Sequence, residues 1–109
     1  MREYKFRVFH NGEMDYSDNW GNLADFFGHY LGIPETYATL MQYTGFKDSQ
    51  GREVYDGDIL KNAHNGTKAR IRWVENQFRT GWSVNYTKTK TIIGNIHSTP
   101  IENDKIAIR

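Results

Sequence analysis

The chain has 109 residues, a net charge of +1, no cysteine, two prolines, and aromatic rings at 15% of its positions. That length holds one modest core, so a single domain is expected. The missing cysteines exclude disulfides, thiolate metal sites and a thiol nucleophile. No apolar run reaches the ~18 residues a membrane helix needs, and residues 1–10 alternate charged and apolar side chains with no signal-peptide h-region. A cytoplasmic protein with no membrane attachment is therefore expected. With few prolines and no low-complexity tract, no disordered linker is expected.

In chain order, Tyr4, Phe6 and Val8 alternate with Lys5 and Arg7, the period of a strand. Asn11-Gly12 follows and supplies the two positive-φ positions of a type I′ hairpin turn, so residues 13–16 should return as a second strand. From Asp18 the period changes. Leu23, Phe26, Phe27, Tyr30 and Leu31 fall on one helical stripe. Asp18 or Asn22 can cap its start, and Gly32 with Pro34 ends it. Residues 36–44 read as a strand broken by Gly45. Ser49-Gln50-Gly51 reads as a loop tip, with residues 53–55 as its second arm. Asp56-Gly57-Asp58 reads as a turn before a strand at residues 59–62.

Asn65-Gly66 gives a second I′ signal. A strand over residues 67–75 would set Ala69, Ile71 and Trp73 on one face and Lys68, Arg70 and Arg72 on the other. Asn76-Gln77 turns the chain. Phe78 and residues 82–86, residues 91–96 and residues 106–108 complete the strands. Short strands with turn signals every 8–12 residues indicate a small meandering barrel or sandwich. The fold class is mainly β with a minor α part: an N-terminal hairpin and one amphipathic helix over residues 1–40, then an antiparallel barrel or roll over residues 41–109.

Met41-Gln42-Tyr43-Thr44-Gly45, Lys47-Asp48, Gly51, Glu53, Tyr55 and Gly57-Asp58-Ile59 closely resemble the signature of the YopX family of phage and prophage proteins. Lys5 to Phe9 resembles that family's basic-aromatic first strand. Gly94-Asn95-Ile96-His97, leading to Pro100, resembles its closing turn. The resemblance implies a small intracellular protein with an SH3-type β-barrel or roll. It carries no catalytic residues, because the family has no established activity. The signature reads as folding chemistry. Gly12, Gly45, Gly51, Gly57 and Gly66 sit where the chain reverses, and Asp48, Asp56 and Asp58 can each bond nearby backbone N–H groups.

No cofactor, metal or catalytic site is expected. An EF-hand loop started at Asp48 would place Arg52 fifth and Glu53 sixth, where a ligand and a glycine belong. His10, His29, His64 and His97 share no metal-ligand spacing. Gly81-Trp82-Ser83-Val84-Asn85 lacks the final glycine of a nucleophile elbow.

Charge is uneven. Residues 61–90 hold seven cations (Lys61, Lys68, Arg70, Arg72, Arg79, Lys88 and Lys90) against one acid, Glu75. Their local balance of +6 leaves −5 for the rest of a chain that totals +1. The leading expectation is a non-catalytic phage or prophage accessory protein. It would act by protein–protein contact, as a homo-oligomer or with a phage or host partner. The alternative is a nucleic-acid-binding module using Lys68, Arg70, Arg72, Arg79, Lys88 and Lys90, with Trp82 and Tyr86 as stacking surface. An enzyme ranks third.

Overall fold

Asn11-Gly12 turns the chain as its residue types dictate. The computed structural model describes residues 4–83 and 88–97, and residues 106–107 as backbone. In it Asn11 at φ 54° and Gly12 at φ 79° close the hairpin of β1 (Phe6–His10) and β2 (Glu13–Tyr16). His10 lies opposite Glu13. The fold is mainly β, with ten strands and one α-helix among the described residues. Its backbone forms two compact units, residues 1–43 and residues 44–109. Among the described residues no helix is long and apolar enough to cross a membrane.

In the first unit, β1 lies between β2 and the start of β3 (Met41–Lys47), antiparallel to both. Helix α1 (Leu23–Tyr30) opens on Asn22, whose side chain accepts the Asp25 N–H. Of the expected stripe, Phe26 and Tyr30 are buried and pack with Val8; Phe6, Trp20, Phe27, Ile33 and Leu40 surround them. The rings meet edge to face, with Phe6–Phe27 and Phe26–Phe27 centroids 5.0 and 5.4 Å apart, the geometry the ring quadrupole favours. Leu31 lies past the helix end and is 52% exposed.

The strand expected from residue 36 begins only at Met41. Residues Pro34–Thr39 instead form a 3-10 helix. Proline is pre-shaped for its first turn. The Thr36 hydroxyl bonds the Tyr30 and Ile33 carbonyls at 2.8 Å, and the Thr39 hydroxyl bonds the Phe9 carbonyl at 2.9 Å. Local side-chain bonds of this kind outcompete the β-propensity of threonine.

In the second unit, the end of β3 pairs with β4 (Glu53–Tyr55). Gly45, expected to break the strand, stays inside it at φ 90°. β5 (Asp58–Asn62) lies between β6 (Lys68–Arg70) and β9 (Lys90–Asn95), and β10 (Ile106–Ala107) runs parallel to β6. β7 (Trp73–Asn76) and β8 (Arg79–Trp82) form a separate hairpin. Val54, Leu60, Ile71 and Trp82 make the core of this antiparallel roll, with Ala69 and Ile92 against it.

Two further expectations change here. Gly66 keeps a positive φ of 73°, but Asn65 does not. The chain therefore makes a longer loop, closed by Asn62 N–H to Thr67 O at 2.8 Å, and not an I′ turn. The single strand over residues 67–75 is two strands. After Ile71 the neighbouring chain turns away at Gly57, and Arg72 takes Ser83 as its partner instead. The Ser83 N–H donates to Arg72 O at 2.8 Å, and the Arg72 N–H to Ser83 Oγ at 3.1 Å.

Candidate functional site

The signature segment builds a clamp around Asp48. Its side chain has no exposed surface. Oδ1 accepts the Gln50 and Arg52 N–H groups, both at 2.9 Å. Oδ2 accepts Arg52 Nε at 3.1 Å and, 44 residues along the chain, the Ile92 N–H at 3.0 Å. One carboxylate thus shapes the β3–β4 loop and fastens it to β9. Burial alone would raise its pKa. The backbone N–H groups of Ile92, Arg52 and Gln50, together with the Arg52 guanidinium, outweigh that and hold it below the usual carboxylate value. Arg52 NH2 also donates to the Ile92 carbonyl at 2.7 Å.

Asp58 works the next turn. Its Oδ2 accepts the Tyr55 N–H at 2.7 Å. Gly57, at φ 90°, donates its N–H to Ile71 O and accepts the Ile96 N–H, at 2.8 and 3.0 Å. The expected turn chemistry is present at both aspartates, and the bonds run further along the chain than a local turn requires.

The basic residues do not form one stripe. Lys68 and Arg70 lie on β6, and their backbones face Lys61 and Ile59 of β5. Ala69, between them, points into the core. Arg72 lies in the link, Lys88 before β9 and Lys90 at its start. Arg79 turns back on its own hairpin, its guanidinium donating to the Trp82 carbonyl. Trp82 is 5% exposed and packs edge to face on Trp73 at 5.0 Å. It is a core ring and offers no platform for a base, because the core of so small a roll needs its largest side chain. Tyr86 lies outside the described residues.

The β7–β8 hairpin shows the opposite imbalance. Gln77 and Phe78 form its turn with negative φ. Asn76 Oδ1 fixes that turn by accepting the Phe78 and Arg79 N–H groups at 2.8 and 2.9 Å. This leaves Phe78 87% exposed and Trp73 47% exposed. Phe78, expected in a strand, lies in the turn instead. Asn76 at the first position of a type I turn was the missed signal.

A family model described as YopX protein matches residues 5–102. The chain belongs to the YopX family. No curated protein matches it. Among solved structures it is similar to protein EF1440 from Enterococcus faecalis, at 19% identity and a TM-score of 0.47, covering 89% of this chain and 95% of that one.

This YopX-family chain has one more polar centre, in its first unit. Asp15 accepts the Tyr30 hydroxyl at 2.5 Å, Trp20 Nε1 at 3.0 Å and Asn19 Nδ2 at 3.4 Å. Burial and the bond to Asp15 push the Tyr30 hydroxyl up to about 12. For Asp15 burial is outweighed by these donors, so its pKa falls below the usual value. The pair borders an open cavity of about 220 Å³ that His10, Asn11, Glu13 and Met14 also line. No group of three or more potential metal-ligating side chains converges among the described residues. Sequence reading missed this centre because its members, at positions 15, 20 and 30, share no local spacing.

Proposed function

We propose that this chain is a non-catalytic binding module, a small cytoplasmic accessory protein of phage or prophage genomes. It acts by protein–protein contact, and its first partner is a second copy of itself. The observation that carries this reading is Phe78, an aromatic ring 87% exposed at the tip of a hairpin whose turn Asn76 locks. Trp73, 47% exposed, adds a second aromatic surface at the other end of the same hairpin. Among the described residues β7 pairs only with β8. A second β7 related by a two-fold axis fits that unpaired edge, with the aromatic rings meeting across it. The opposed charges of residues 61–90 and the rest of the chain suit the same partner.

The non-catalytic part is supported by two carboxylates committed to holding the fold. Asp15 and Asp48 already spend their acceptor capacity on structural donors. Light scattering on the eluted protein at tens of micromolar tests the reading. A dimer is expected. Burying each Phe78 ring is worth about 2 kcal/mol, and a two-fold dimer holds two. Phe78→Ser should therefore weaken association by about two to three orders of magnitude and leave the circular dichroism spectrum unchanged. A monomeric wild-type protein overturns the proposal.

A further inference from the structure

We infer that Asn65 is a site of spontaneous deamidation, where the chain converts one of its own amides to a carboxylate with water as the co-reactant. The triplet His64-Asn65-Gly66 occurs twice in the sequence, the other copy being His10-Asn11-Gly12. Glycine has no Cβ to obstruct a ring closing on its nitrogen. A Cβ built on Gly12 or Gly66 would meet nothing within 4 Å. Local sequence therefore offers the two sites on equal terms, and the fold separates them.

The step moves the Asn65 side-chain acyl group from one nitrogen to another. The Gly66 nitrogen gives its proton to solvent base and attacks Asn65 Cγ. A C–N bond forms, and the carbonyl electron pair moves onto Oδ1. The oxyanion then collapses and the Cγ–Nδ2 bond breaks; Nδ2 takes a proton from water and leaves as ammonia. Water opens the cyclic imide at either carbonyl, giving aspartate or isoaspartate. Charge develops on Oδ1, and two donors already point there: the Thr67 N–H at 3.0 Å and the Thr67 hydroxyl at 2.7 Å. Donors set in advance on a developing oxyanion lower such a barrier. Among the described residues the Asn11 side chain receives no such bond.

The backbone acts in the same direction. Ring closure must swing the next nitrogen towards the asparagine side chain, a rotation about the Cα–C bond. Asn11 sits in a two-residue turn at φ 54°, with His10 paired directly to Glu13, so that rotation would break the hairpin. Asn65 is exposed in the longer loop between β5 and β6, outside the left-handed region. There the rotation costs the bond from the Gly66 N–H to Asn62 O, 2.9 Å long. Conversion takes the chain from a net charge of +1 to zero. Isoaspartate also lengthens the main chain just before β6, so each molecule carries a mark of its age. This site is separate from the β7–β8 hairpin, so either reading can fail without the other.

The test is peptide mapping by mass spectrometry of the full chain aged in mildly alkaline buffer, with aspartate and isoaspartate peptides separated by chromatography. In the folded protein Asn65 should convert at least about tenfold faster than Asn11. In strong urea, where neither triplet is held, the two rates should converge. Thr67→Val keeps the N–H and removes the hydroxyl. It should slow Asn65 about three- to tenfold, less than the ~10²–10³ of a water-excluded site, because solvent replaces part of the lost donor. Thr67→Ser should restore the rate. Thr67 is exposed, so neither variant disturbs the core. Three results overturn the inference: Asn11 converting as fast as Asn65 in the folded chain, rates that stay apart in urea, or Thr67→Val converting as fast as the wild type.

Discussion

Replacing Asp48 by asparagine removes a charge and one acceptor atom while keeping the shape. The retained oxygen still accepts the Gln50 and Arg52 N–H groups. The new amide nitrogen then faces two donors, the Ile92 N–H and Arg52 Nε, now 3.0 and 3.1 Å from Oδ2. The Arg52 side chain is 49% exposed, so its ion pair is screened and adds little. The Ile92 bond is a part-buried, charge-assisted bond, worth about 1.5–3 kcal/mol, and its N–H would be left unanswered. The expected loss is about 3 kcal/mol at neutral pH, a large share of the ~5–15 kcal/mol that holds most domains folded.

Urea unfolding reads this directly. At a slope of about 1–2 kcal/mol per molar, the midpoint should fall by roughly 2 M. The acid dependence gives a second check. Asp48 titrates below 3.8 in the folded chain, so its contribution is complete above that value. It disappears as pH falls through the lowered pKa. The gap between wild type and Asp48→Asn should therefore close in strong acid. Coincident midpoints at neutral pH, or a gap that ignores pH, would refute the clamp.

Tyr30→Phe deletes the 2.5 Å bond to Asp15 and should cost about 1–2 kcal/mol. The raised pKa of Tyr30 means that its contribution is complete below pH 10.0 and lost as pH climbs towards about 12. Ultraviolet titration should lose one late-titrating tyrosine on going from the wild type to the variant. Gly28→Ala fills open space on the exposed face of α1 and should add about 1 kcal/mol by helix propensity, raising the thermal midpoint by several degrees. Gly57→Ala forces a side chain to φ 90° and should cost about 1–2 kcal/mol, seen in the same melts.

Much of the fold was legible because it rests on local chemistry. Asn11-Gly12 specifies its turn through backbone sterics, and the Leu23–Tyr30 stripe specifies a helix through its period. Gly57 and Asp48 were recognisable as turn residues, but not as fasteners, because Ile92 and Ile96 lie far along the chain. The 3-10 run at Pro34–Thr39 was misread for a similar reason: threonine favours strands until its hydroxyl finds a carbonyl. The basic residues illustrate the limit most clearly. Alternation put Lys68, Arg70 and Arg72 on one face, yet Arg72 leaves the strand where β5 turns at Gly57. Lys61, the closest neighbour of Lys68 by register, comes from another strand, and only strand pairing could reveal it. Trp73 and Trp82 are alike in sequence, and only the fold exposes one and buries the other.

Amide hydrogen exchange at two protein concentrations addresses the central proposal, contact through the β7–β8 hairpin, most directly. Protection over residues 73–82 should rise with concentration, while α1 exchanges at the same rate throughout. Exchange over residues 73–82 that is independent of concentration would contradict the account.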